Sequence, residues 1–184
     1  MTTSTTATPN GNNAKATNTQ ASHRMMQSFG AVASLLMKAE RYRHYYLADL
    51  EWLAAPAVAS GQFSIAEAQS KETGFTVPVA CVIWAQVSDE VDQRLMKEAR
   101  QPLRLRGDEW ASGAVPWLVE AVGDPAAVGR LLEAVLKARF AKTGLKALRP
   151  GPDGKWTVQV LKPGMLTRTT KAADAMAGNQ SKAG

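Results

Sequence analysis

Residues 76–87 read Thr-Val-Pro-Val-Ala-Cys-Val-Ile-Trp-Ala-Gln-Val, and this run constrains the fold more than any other stretch of the chain. Val77, Val79, Val82, Ile83, Trp84 and Val87 are side-chain types that suit a pleated, half-buried surface, so the run predicts a strand. Residues 62–66, with Phe63 and Ile65 on one face, predict a partner strand across a polar connection around Lys71 to Gly74. Ser88 then signals a helix N-cap. Asp89, Glu90 and Asp92 fall in the first turn and Arg94, Lys97 and Arg100 follow, the order that the helix dipole favours.

The remaining elements follow from spacing. Phe29, Val32, Leu35 and Leu36 predict a first helix from about Ser28, which fades in the polar-aromatic run of residues 40–46. Leu47, Leu50 and Leu53 predict a second helix, ended near Pro56. Residues 115–122 read as a strand with Trp117 and Val119 on one face and Leu118 and Glu120 on the other. Asp124-Pro125 opens a helix whose apolar face includes Val128, Leu131, Leu132, Val135 and Leu136, closed by Gly144. Residues 145–149 and 155–161 make a last hairpin around Gly151-Pro152-Asp153-Gly154. The order ααββαβαββ predicts an α+β domain with helices packed on a mostly antiparallel sheet.

The chain has 184 residues, the size of one domain with a tail at each end. Residues 1–22 hold seven Thr and four Asn with no aromatic, Leu, Ile or Val, too little apolar surface to repay ordering. The expected division is a tail over 1–24, a domain over 25–161 and a basic tail over 162–184. The net charge of +6 is mostly in the tails: +1 lies in residues 1–22 and +3 in 162–184, leaving +2 for the core. A general nucleic-acid surface is correspondingly weakened, and no aromatic-interleaved platform supports one. No stretch approaches the ~18 apolar residues of a membrane span, and residues 1–20 have no secretory-signal h-region. Cys81 is the single cysteine and there are two histidines, His23 and His44, so neither an internal disulfide nor a conventional zinc site is expected. These features predict a reduced, cytoplasmic, metal-free protein. Cys81, flanked by apolar residues, reads as a buried small hydrophobe.

Three segments taken together resemble the RTX toxin-activating lysine acyltransferases of the hemolysin-activator (HlyC) type. The first is His44, then Ala48-Asp49-Leu50, Pro56-Ala57-Val58 and Gly61-Gln62-Phe63; the second runs from Pro78 to Ser88; the third is Trp110-Ala111-Ser112-Gly113 with Trp117-Leu118-Val119-Glu120 and Gly123. They stand in the family's order over about residues 28–161. The resemblance implies a GNAT-like acyltransferase fold used as a homodimer. It also implies transfer of a fatty acyl group from acyl carrier protein, as a co-substrate rather than a bound cofactor, to internal lysines of an RTX protoxin. The family's catalytic histidine falls on His44 and its partner aspartate on Glu120.

Those residue types suit the reaction. Only about one exposed lysine in a thousand is uncharged at neutral pH, so a base near the amine helps, as does a group that protonates the departing thiolate. Histidine serves both roles, and a carboxylate beside it fixes its tautomer. On the resemblance, His44 is the base or a transient acyl acceptor and Glu120 orients it. On residue type alone, His44 is a surface or packing side chain and Glu120 a solvent-facing strand carboxylate. The chain departs from the family pattern in three places: Glu stands for Asp at 120, the segment after it is about three residues short, and Arg41 replaces a serine three positions before the histidine. A catalytically degenerate binder of carrier protein or protoxin therefore stays open, as does a basic nucleic-acid-binding module.

Arg94, Lys97, Arg100, Arg104 and Arg106 are opposed within their span by Glu98 alone, and a second group, from Arg130 to Arg149, by Glu133 alone. Each reads as a solvated helix face or as a docking site for acidic acyl carrier protein, where complementary charge raises the on-rate.

Overall fold

The computed structural model describes residues 11–151 and 153–165; positions 1–10 and 166–184 of the expected tails, and Pro152 of the expected turn, lie outside the described residues. The helices are α1 (Gly11–Lys38), α2 (Leu50–Leu53), α3 (Ala55–Ser60), α4 (Asp89–Glu98) and α5 (Pro125–Arg139). The strands are β1 (Phe63–Gln69), β2 (Thr76–Val87), β3 (Val115–Gly123), β4 (Leu145–Pro150) and β5 (Trp156–Leu161), in one sheet of order β1-β2-β3-β4-β5. Neighbours are antiparallel except β3 and β4, which run parallel and are joined through α5. The expected α+β arrangement of helices on a mostly antiparallel sheet is what forms.

The alternation within β2 sorts the interior into two cores. Cys81, Ile83, Ala85 and Val87 join Val32 and Leu35 of α1, Leu53 of α2, Val58 of α3 and Leu95 of α4. Val82 and Trp84 point the other way, to Leu132 and Leu136 of α5 and to Phe140 beyond it. Each such large apolar side chain stabilises the fold by about 1.5–3 kcal/mol when fully buried. The helix starts are capped as their sequences predict. Ser88 Oγ accepts from Val91 N at 3.3 Å, and Asp124 Oδ1 from Ala127 N at 2.8 Å with Pro125 in the first turn. A cap of this kind contributes about 1 kcal/mol.

Two boundaries differ from expectation. α1 begins at Gly11, not near Ser28, so residues 11–24 of the expected tail are helical. Residues 18–27 are exposed, which is why no apolar periodicity marks them; the period starts at Phe29, where the helix meets the core. Pro56 does not stop a helix but stands in the first turn of α3, where the missing N–H costs nothing.

Candidate active site

β3 and β4 share a single register pair, Trp117 with Lys146. Asp92 of α4 secures it: Trp117 Nε1 donates to Oδ1 at 2.7 Å, and Lys146 Nζ donates to Oδ1 and Oδ2 at 2.7 and 2.8 Å. Past this rung the strands part. A cleft of about 470 Å³ opens between residues 118–121 of β3 and Ala147, Leu148 and Pro150 of β4, with Arg41, Tyr42, Tyr45 and Trp156 among its walls. Ligand pockets commonly fall in the range ~300–1,000 Å³.

Glu120 reaches this cleft because of a bulge. Ile83 pairs with Glu120 but Trp84 pairs with Leu118, leaving Val119 as the extra residue of β3. Simple alternation places Glu120 with Leu118. In the structure Leu118 and Ala121 lie against the α5 core, Val119 and Val122 lie in the other, and Glu120 turns toward Arg41 and Tyr42 on the α1 side. The solvent-facing reading of Glu120 is thereby corrected: the residue is only 9% exposed.

The buried carboxylate is fully partnered. Arg41 Nη2 and Ala121 N (2.6 Å) donate to Oε1, and the Tyr42 hydroxyl donates to Oε2. Arg41 Nη2 also donates to Ala121 O at 2.9 Å, so this guanidinium occupies the strand edge where β4 has moved away. Burial pushes the Glu120 carboxyl up from 4.5 to about 7, against the opposing pull of Arg41 and of the Ala121 N–H. Glu120 therefore exchanges a proton near neutrality, the condition for a general base or acid at ordinary pH.

His44 and Glu120, the pair expected from the sequence, are not brought together. The His44 side chain is exposed, makes no hydrogen bond or ion pair among the described residues, and does not line the cleft. Residues 40–42 form a 3-10 turn that delivers Arg41 and Tyr42 instead. Arg41 supplies the cation beside the carboxylate. The segment after Glu120 ends β3 tightly against β2. Gly123 has φ 127°, a Cβ there would lie 2.2 Å from Val79 O, and Asp124 N donates to that same oxygen at 2.8 Å.

The first part of the third resembling segment, Trp110 to Gly113, is structural. Gln86 N donates to Trp110 O at 3.0 Å, Gly113 N to Gln86 O at 3.2 Å and Ser88 N to Ser112 Oγ at 2.9 Å, extending the sheet beside the end of β2. Trp84, Trp110 and Trp117 are all buried in the cores. So is Cys81, whose thiol burial pushes up to about 12.

The basic cluster is largely engaged within the chain. Glu109, itself buried, accepts from Arg94 Nη2 at 2.7 Å and from Arg106 N at 2.9 Å, and pairs with Arg106 Nε at 3.2 Å. Arg100 lies 3.7 Å from Glu98, and Arg104 stacks 4.7 Å from the Trp52 ring centroid. Lys97 is exposed and has no side-chain partner among the described residues. In the second group, Lys137 pairs with Glu133 and Lys146 with Asp92, while Arg139 lies over Trp84. Among the described residues no group of three or more His, Cys, Asp and Glu could hold a metal ion, and no helix is long and apolar enough to cross a membrane.

Sequence reasoning missed Arg41 and Tyr42 as site residues, although it set the polar-aromatic run of residues 40–46 apart. It read Asp92 only as a first-turn acid and did not single out Glu109. Comparison with protein families finds that residues 21–163 match the model of the RTX toxin acyltransferase family. No curated protein matches the chain.

Proposed function

Because the chain belongs to the RTX toxin acyltransferase family, we propose that it takes a fatty acyl group from acyl carrier protein and places it on internal lysines of an RTX protoxin. The observation that carries this reading is the cleft between β3 and β4 with the buried Glu120 carboxylate on its wall. The chemistry converts a thioester and an amine into an amide and a thiol. An extended acyl thioester needs a slot between secondary-structure elements, and parting parallel strands supply one with apolar walls from Leu118, Val119, Ala147 and Leu148. The amine must lose a proton as it attacks, and a carboxylate that titrates near 7 is matched to receive it.

Lys97, Arg100 and Arg104 are exposed and supply positive charge for an acidic carrier protein. Arg94 and Arg106 are tied to Glu109 and serve mainly to hold the connection after α4. The enzyme would work as a homodimer in the cytoplasm, where the carrier protein supplies its donor; both points follow the family resemblance.

The test is mass mapping of an RTX protoxin encoded beside this chain, co-expressed in bacteria with the unmutated chain, with Glu120→Gln, or alone. Fatty acyl additions on internal lysines with the unmutated chain only are the expected result. Unmodified lysines in all three samples, with soluble proteins and abundant carrier protein, would replace transfer by binding alone.

A further inference from the structure

We propose that the open edge of β5 is where the acceptor protein docks, by adding an extended, apolar-patterned segment to the sheet as one more strand. The inference rests on the acyltransferase reading above and concerns how the acceptor of that reaction is recognised.

Strand β5 ends the sheet, and among the described residues no strand pairs with its outer side. Gly151 N donates to Lys155 O at 2.7 Å, which makes residues 151 and 155 a hydrogen-bonded pair. Such pairs alternate along an antiparallel ladder, so the next ones are Arg149 with Thr157 and Ala147 with Gln159. The N–H and C=O groups of Trp156, Val158 and Val160 therefore point outward, to the open edge. The same three side chains share one face of the strand. Val158 packs against the α1-side core there, while Trp156 and Val160 stay 36% and 39% exposed. Free backbone groups and an apolar stripe thus come from the same positions, which is what an added strand requires.

The opposite edge of the sheet is guarded. β1 shifts register between Ala66 and Glu67 and exposes the Glu67 charge, two devices that keep strands from adding. β5 has neither a register shift nor a charge or proline from Trp156 to Leu161. Its stripe also leads to the cleft, which Trp156 and its register partner Pro150 both line. An added strand would lie two strand spacings from the cleft side of β4, roughly 10 Å. About three residues of extended chain beyond Trp156 cover that distance and bring a lysine to the cleft.

Size and charge select the occupant. A stable contact between two folded copies takes about 800 Å² from each. A six-residue strand with two partly exposed large side chains offers far less, but it matches a short extended segment. Residues 145–165 hold Lys146, Arg149, Lys155 and Lys162 against Asp153 alone. Lys146 is engaged by Asp92, and the other three are exposed. The segment that fits carries alternate apolar residues with acidic residues at its flanks.

The test uses the full chain, an acylated carrier protein as donor and the protoxin as acceptor. Backbone amide exchange is read residue by residue for the chain alone and with protoxin added. Alone, the amides of Trp156, Val158 and Val160 are expected to exchange freely while those of Thr157 and Gln159 are protected. Protoxin is expected to slow the outward three by about 10-fold or more. Acyl transfer is then compared for Val160→Pro, Val160→Lys, Gln159→Lys and the unmutated chain. Proline at 160 removes only an outward N–H, so it blocks the edge and keeps the ladder to β4. Both Val160 variants are expected to raise KM for the protoxin about 10-fold, with kcat within about 2-fold. Gln159→Lys puts the same charge on the opposite face and is expected to stay within about 2-fold in KM.

Outward amides that the protoxin leaves unprotected overturn the proposal, as does a KM that neither Val160 variant moves. If Val160→Pro loses its fold by thermal melting, Val160→Lys decides. Protection already present in the chain alone also overturns it. Protection that grows with chain concentration gives the edge to a second copy, and protection that does not gives it to residues 166–184. Protection by protoxin without acyl transfer in the unmutated chain keeps the docking edge and brings down the acyltransferase reading, so the two failures are told apart.

Discussion

Trp117 and Lys146 face each other across the one paired rung between β3 and β4, and both donate to the carboxylate of Asp92. The rung is the closed end of the cleft, so its polar clamp sets where the two strands begin to separate. The Lys146 Nζ also lies 5.8 Å from the Trp117 ring centroid, adding a cation–π contact to the same joint.

Replacing Asp92 by Ala leaves an indole N–H and a largely covered ammonium without their acceptor. Hydrogen bonds to charged groups are worth about 1.5–3 kcal/mol each, and they are not additive when shared. Asp92→Ala is expected to lower unfolding stability by about 2–4 kcal/mol in urea titration. Asp92→Asn, which keeps an acceptor for Trp117 but loses the ion pair, should fall between the variant and the parent.

The folded Glu120 carboxyl titrates near 7, above its ordinary 4.5. Between those values the folded chain retains a proton that the unfolded chain has released. The stabilising preference for the protonated form is complete below about pH 4.5 and is lost as pH rises toward 7. At 1.36 kcal/mol per pH unit the loss is about 3 kcal/mol. Glu120→Gln removes this dependence. The stability of the parent minus that of the variant should therefore fall by about that amount between pH 4.5 and pH 7.5, and an invariant difference would contradict the titration.

Arg41→Gln takes away the cation that pulls the Glu120 carboxyl downward. The acidic limb of the pH–rate profile for acyl transfer is expected to move to higher pH, because Glu120 must be ionised to accept a proton. A limb in the same place as in the parent would show that Glu120 does not govern it.

Gly123 combines a φ of 127° with an approach to Val79 O that leaves no room for a methyl group. Gly123→Ala is expected to cost about 3 kcal/mol or more, since both the backbone and its neighbour must move. Gly30→Ala, whose Cβ meets nothing within 4 Å on a helix, is the control, and is expected to be neutral or slightly stabilising.

Cys81 is fully buried at the centre of β2 and its thiol is pushed up to about 12. Reaction with an aromatic disulfide reagent is expected to be negligible in the folded protein at pH 8 and complete after unfolding in urea. Prompt reaction of the native chain would place the thiol elsewhere.

Much of the fold was legible because its signals are local. The β-branched run of β2 and the side-chain caps at Ser88 and Asp124 each work within a few residues, and each forms as its sequence predicts. The face that Glu120 occupies was not legible. It depends on the bulge at Val119, which exists only in the pairing with β2 and leaves no mark in the alternation of β3 alone. Which side chains of residues 40–46 reach the cleft was hidden for a related reason. Residues 40–46 form a tight turn rather than a periodic element, so spacing does not say which of several polar or aromatic side chains points inward. Resemblance in sequence marked Glu120, and the geometry adds Arg41 and Tyr42 beside it.

Leu132, Val135 and Leu136 of α5 share a core with Val82 and Trp84 on one side of the parting and with Leu145, Ala147 and Leu161 on the other. The two ladders, β1-β2-β3 and β4-β5, are thus spaced more by the bulk of a helix than by hydrogen bonds. The aperture between them is set from behind: a change of volume on α5 shifts the jaws while every group that would touch an acyl chain keeps its identity. A chain built in this way can alter what fits without rewriting its contacts.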